Sequence, residues 1–173
     1  MTRDFFDLLA AVVDYPDEYI SLVVGQAAAR AENPAMKAAL DSFLEVVSQL
    51  SVEELREHYA ATFRPGTACS LELAEQLYTD PAERNAFVTR QLGALRRTGL
   101  QPLGAVPDHL TRVLALIGRD DPARAVDLAS LVGPAVEAIR CALVNRHSPY
   151  AEVLGVVKSA LLQVRPAPVG PRG

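Results

Sequence analysis

The chain reads as an all-α protein: a single-domain bundle of about eight to ten mostly antiparallel helices over residues 1–164, followed by a Pro/Gly-rich tail, 165–173, expected to be disordered. Three observations predict this. Apolar residues recur at helical spacing, most clearly Leu110, Val113, Leu114 and Ile117 at i, i+3, i+4 and i+7. Cap-and-proline start signals precede most such stripes, and the connections between them are short enough to make neighbours antiparallel. Strand signals are nearly missing. Half of the 173 residues are hydrophobic, which is enough for one sizeable core.

The elements follow in order. Residues 3–13 form an apolar first helix that stops at Tyr15-Pro16-Asp17-Glu18, where the proline blocks continuation and the acids favour the next helix start. Asn33-Pro34 caps a third helix running to about Leu50, with Met36, Leu40, Phe43, Leu44 and Val47 inward. Ser51-Val52-Glu53-Glu54 is a capping box, followed by the stripe Val52, Leu55, Tyr59 and Phe63. Arg64-Pro65-Gly66 breaks the chain, and a helix beginning near Ser70 carries Leu71, Ala74, Leu77 and Tyr78. Asp80-Pro81-Ala82-Glu83 starts a helix that ends at Gly99. Residues 100–107 connect it to the segment Val106-Pro107-Asp108-His109-Leu110. Asp121-Pro122 opens the next helix, Gly133-Pro134 divides it, and Val136, Ile139 and Leu143 continue beyond. Ser148-Pro149 begins the last helix, whose face is Tyr150, Val153, Leu154, Val157 and Leu161.

Composition narrows the function. A net charge of −4 gives no electrostatic reason to expect nucleic acid or anionic lipid as the main partner. Cys69 and Cys141 stand outside metal-ligand and redox spacings and read as two reduced, partly buried thiols of a cytosolic protein. Asp4, Asp7 and Asp14 interrupt the N-terminal apolar run, so no signal peptide is expected, and no stretch reaches the length of a bilayer span. The expected location is cytoplasmic.

Catalytic patterns are missing as well. Neither Glu-x-x-His nor His-Glu-x-x-His occurs around the three histidines, and there is no phosphate loop, dinucleotide glycine fingerprint or nucleophile elbow. Glu54 and His58 read as a surface i, i+4 pair, and Arg84, Arg90, Arg96 and Arg97 as a solvated face. The expectation is a protein without catalytic turnover, cofactor or metal, one that works by binding. Asp108 and His109 sit where a loop meets a helix; the plain reading is an N-cap aspartate beside a surface histidine.

Five segments, taken together, resemble the cytosolic chaperones dedicated to molybdenum enzymes, in particular the nitrate reductase delta-subunit branch. They are Val13-Asp14-Tyr15-Pro16-Asp17-Glu18 and Leu55 to Phe63 (Leu-Arg-Glu-His-Tyr-Ala-Ala-Thr-Phe). Ser70-Leu71-Glu72-Leu73 with Leu77-Tyr78-Thr79-Asp80 comes next, then Val106 to Leu110, then Ser148-Pro149-Tyr150-Ala151. The resemblance implies an all-helical chaperone, monomer or weak homodimer, with no membrane insertion. It would bind the N-terminal segment of an apo-enzyme's catalytic subunit, a twin-arginine signal or its remnant, and hold that subunit until the molybdenum cofactor is inserted. By motif it implies Tyr59, Phe63, Pro65, Asp108 and His109 as the peptide-binding residues.

Such a peptide needs an apolar groove with a carboxylate at its rim. Tyr59 and Phe63 supply the aromatic wall or else pack in the core; the position of Phe63 just before the break favours the groove. Asp108 takes an arginine, and His109 donates to a peptide carbonyl, its titration near neutrality tuning release. Two departures leave the client enzyme open. Arg64 stands where that branch has an acid, and Pro81-Ala82-Glu83-Arg84-Asn85 replaces closely spaced arginines and a glycine. Nitrate reductase or a related dimethyl sulfide, selenate, chlorate or ethylbenzene enzyme all fit. The alternative class is an all-helical transcriptional regulator binding DNA, against which the negative charge and the lack of a basic recognition helix both count.

Overall fold

Punctuation residues set the helix boundaries in the computed structural model, which describes residues 2–100 and 106–165. Helix α1 (Arg3–Val13) buries Phe5, Phe6, Leu9, Val12 and Val13. After the Pro16 break, the Asp17 carboxylate accepts the Tyr19 N–H at 2.9 Å and α2 (Ile20–Arg30) begins. Asn33 caps α3 (Pro34–Val47) by accepting from Met36 N–H at 2.9 Å, and α3 stops three residues short of the expected Leu50. Both halves of the Ser51/Glu54 capping box are formed at the start of α4 (Val52–Thr62), with Phe63 as its C-cap.

A single turn, α5 (Leu73–Leu77), comes next. Asp80 caps α6 (Pro81–Thr98), which ends on left-handed Gly99 at φ 75° with Arg96 and Arg97 in its last turn. Beyond the connection, of which 101–105 lie outside the described residues, come α7 (Leu110–Ile117), α8 (Pro122–Val144) and α9 (Tyr150–Leu162). The expected tail lies outside the described residues beyond Arg165. Among the described residues there are nine helices and no strands, so the all-α single-domain bundle holds.

Two boundaries differ from expectation. Pro134 does not divide α8, which runs unbroken for 23 residues. Proline forfeits the bond to the carbonyl four residues back, here Ser130. Both residues are exposed, so water can take that carbonyl, while buried Ala129, Val132, Val136 and Ile139 hold the helix on either side. The helix expected from Ser70 begins only at Leu73, because residues 71–73 pair with the chain before α7 instead, through the isolated bridge Glu72–His109.

One buried cluster draws on all nine helices, and a small satellite joins Ala94 and Leu95 of α6 to Leu116 of α7. Helices α8 and α9, α2 and α3, and α1 and α7 are the most closely packed pairs. Arg119, just past α7, grips both oxygens of Asp7 on α1. Gly118 permits that approach: a Cβ there would lie 3.1 Å from the Phe6 Cβ. Both cysteines are free; Cys69 is buried, but Cys141 is exposed and not partly buried as expected. No helix among the described residues is long and apolar enough to cross a membrane.

Candidate functional site

Asp108 points inward. It is 3% exposed, and its Oδ2 accepts the Ala74 N–H at 3.0 Å while its backbone carbonyl accepts the Leu73 N–H at 3.2 Å. With Leu110 N–H donating to the Leu71 carbonyl at 2.8 Å, the loop before α7 is stitched onto the start of α5. The carboxylate therefore serves the orphan amides of α5, not those of α7 as the plain reading had it. His109 is the N-cap of α7, its Nδ1 2.9 Å from Thr111 Oγ1. A sequence-local argument could not find this, because the capped amide lies 34 residues away.

Tyr59 and Phe63 are each 8% exposed and belong to the core cluster, so Phe63 is packed rather than open to a groove. The Phe63 ring centroid lies 4.8 Å from that of Tyr59 and 4.9 Å from that of Tyr150, which in turn lies 5.0 Å from Phe43. His58 does not pair with Glu54, whose carboxylate is held by Ser51; its ring stacks on Tyr150 at 6.0 Å and 12°. Its Nε2 is buried without a partner. Tyr59 Oη donates to the Val13 carbonyl at 3.0 Å. Burial, then the nearby Asp14 charge, pushes the Tyr59 phenol well above the usual range.

On this base stands an exposed feature. Tyr15, 55% exposed, meets the Tyr59 ring edge-on at 5.5 Å. Arg56 holds the turn from the other side, donating to the Pro16 carbonyl at 3.0 Å with its guanidinium 5.8 Å from the Tyr15 ring centroid. Asp14, Tyr15 and Asp17 line a small cavity of about 110 Å³ in this turn, and Tyr19 and Leu22, which follow in the chain, are exposed.

Helix α1, which ends at this turn, packs on α7. Burial lowers the His109 pKa, while Asp14 and Asp108 pull it upward and Arg112 adds to the lowering. Glu72 is raised by burial and by the charges of Glu75 and Asp108. Arg112, three residues beyond His109, is half-buried with its Nε buried without a partner. Pro65 is exposed in a tight turn where Gly66, at φ 72°, donates its N–H to Glu75 Oε2 at 3.0 Å.

The five sequence-predicted residues therefore divide by depth. Tyr59, Phe63 and Asp108 support the surface from beneath, His109 is half-buried, and Pro65 lies outside on the adjoining turn. Missed were the residues that face solvent, Asp14 and Tyr15, together with half-buried Glu72 and Arg112 and the buried hub Tyr150. Asp14, Tyr15, Glu72 and Tyr150 stood inside the quoted motifs; the signal for Tyr15 was an aromatic next to a proline outside any helix. Among the described residues no group of three His, Cys, Asp or Glu side chains could hold a metal ion. A larger cleft, about 530 Å³, lies elsewhere, between α8 and α9. Compared with family models and with curated proteins, the chain matches none.

Proposed function

We propose that the chain is an assembly chaperone without catalytic turnover. It binds the N-terminal segment, a twin-arginine signal or its remnant, of the apo catalytic subunit of a molybdenum enzyme such as a respiratory nitrate reductase. It holds that subunit for cofactor insertion. The observation that carries the reading is the meeting in space of the five segments on which the resemblance rests. Segments 13–18, 55–63 and 148–151 join through Tyr15, Tyr59 and Tyr150. Segments 70–73 and 106–110 join through their backbones, and α1 packs on α7 with Gly118 against Arg3 and Phe6, so the end of α1 that leads into 13–18 lies towards the start of α7.

The chemistry suits such a client. An exposed aromatic ring flanked by Asp14 and Asp17 offers a guanidinium both a π face and charge-assisted acceptors. Tyr19 and Leu22 offer apolar contact to the hydrophobic stretch beside those arginines. The arginine acceptor moves from buried Asp108 to Asp14 and Asp17.

Calorimetric titration with a synthetic peptide from the client's N-terminus tests this. Binding should show a negative heat-capacity change from apolar burial. Tyr15→Ala should weaken it by about tenfold, the loss of one anchoring contact. Absence of heat, together with failure of the peptide to compete with the apo-subunit, would overturn the proposal.

A further inference from the structure

The arginines of α6 look scattered in sequence, yet the fold gathers two of them. Helix α6 packs on α5 and α7, and α8 on α5, α7 and α9, so α6 and α8 flank α7 with little direct contact. A cleft of about 450 Å³ opens between them. Arg90 and Arg97 stand on its α6 wall, Arg124 and Asp127 on its α8 wall, and Asp120 at its end. Arg97 donates to Asp120 at 2.8 Å and Arg124 lies 3.6 Å from the same carboxylate, so one acid serves two guanidiniums. Among the described residues Arg90 leans only on the Phe87 ring, at 5.9 Å.

A second observation is independent of charge. Gln91, on the same wall, is 6% exposed and its Oε1 is buried without a hydrogen-bond partner. A buried acceptor left unpaired is costly, and here it belongs to a side chain that lines the cleft. The apolar floor is Ala94 with Leu128, and Leu131, 41% exposed, forms the lip.

A fitting occupant carries a carboxylate for Arg90 and Arg124, an N–H for Gln91 and an apolar side chain for Leu131. A doubly charged phosphate meets Asp120 and Asp127 and leaves the leucines bare. We infer that this cleft docks a segment of a partner protein in which an acidic residue neighbours an apolar one, a backbone amide donating to Gln91. None of its lining residues belongs to the face assigned to the client, so the inference stands apart from that reading.

The test follows backbone amide resonances of the full isotope-labelled chain. The probe is acetyl-Glu-Leu-Ala-Glu-Leu-amide, with the lysine analogue acetyl-Lys-Leu-Ala-Lys-Leu-amide as control. The acidic peptide should shift Gln91, Ala94, Leu128 and Leu131, and the lysine peptide should not. Arg90→Gln and Arg124→Gln, both on exposed side chains, should weaken binding severalfold. Gln91→Leu should weaken it by about tenfold while raising the thermal midpoint, because it removes an unpaired buried amide. Four results would overturn the inference: no shifts at millimolar peptide, equal shifts with the lysine peptide, shifts confined to other helices, or displacement by equimolar inorganic phosphate. A Gln91→Leu variant that melts earlier yet binds normally would do the same.

Discussion

Asp108 caps a helix 34 residues away from it in the chain, and its loss should register as instability before anything else. Asp108→Ala orphans the buried Ala74 amide and should cost about 1–3 kcal/mol. Asp108→Asn keeps an oxygen in place and should cost less; urea denaturation of the pair checks the order. The neighbouring histidine sets a pH dependence. Burial lowers the His109 pKa in the folded chain below its unfolded value near 6.5. The unfolded state therefore takes up its proton first as pH falls. The contribution of His109 to stability is complete above the unfolded pKa and is lost as pH drops towards the folded one. Urea midpoints for the parent chain should decline over that window, and His109→Gln should flatten the decline. The sequence placed both residues at a loop-to-helix junction correctly. It could not say which way Asp108 points, because the amide it serves belongs to another element.

Helix starts were legible wherever a local cap writes them: Asn33, Ser51, Asp80 and Asp121 all accept from the first turns of the helices they precede. Starts and stops decided by tertiary contact were not. The helix expected from Ser70 starts late because Leu71 and Leu73 bond to Leu110 and Asp108, so α5 is one short turn. Pro134 is the opposite case, a strong local stop overridden by apolar packing on either side of it. The cost of that override remains in the helix. Pro134→Ala should restore the bond to the Ser130 carbonyl and raise the unfolding free energy by about 1–3 kcal/mol, read from the urea midpoint at unchanged slope. A loss of stability would contradict that reading.

Across the whole molecule, rings from α3, α4 and α9 meet around Tyr150, which is 1% exposed. Nothing in the local sequence marks Tyr150 as their hub; it is one of several apolar positions on its stripe. Phe63 lies within this cluster, so Phe63→Ala should cost about 3–5 kcal/mol in urea denaturation, as for other buried aromatics. Any loss of client binding by Phe63→Ala should scale with the folded fraction. The cluster holds the exposed Tyr15 turn through Tyr59, and the α5/α7 stitch holds His109 at the start of α7. The central claim is that these two pieces form one peptide-binding face. Hydrogen–deuterium exchange of the full chain, with and without the client's N-terminal peptide, tests it most directly. The account predicts new protection at residues 14–19 and 106–112 together. Peptide-induced protection confined to the α8/α9 cleft, or to one of the two segments without the other, would contradict it.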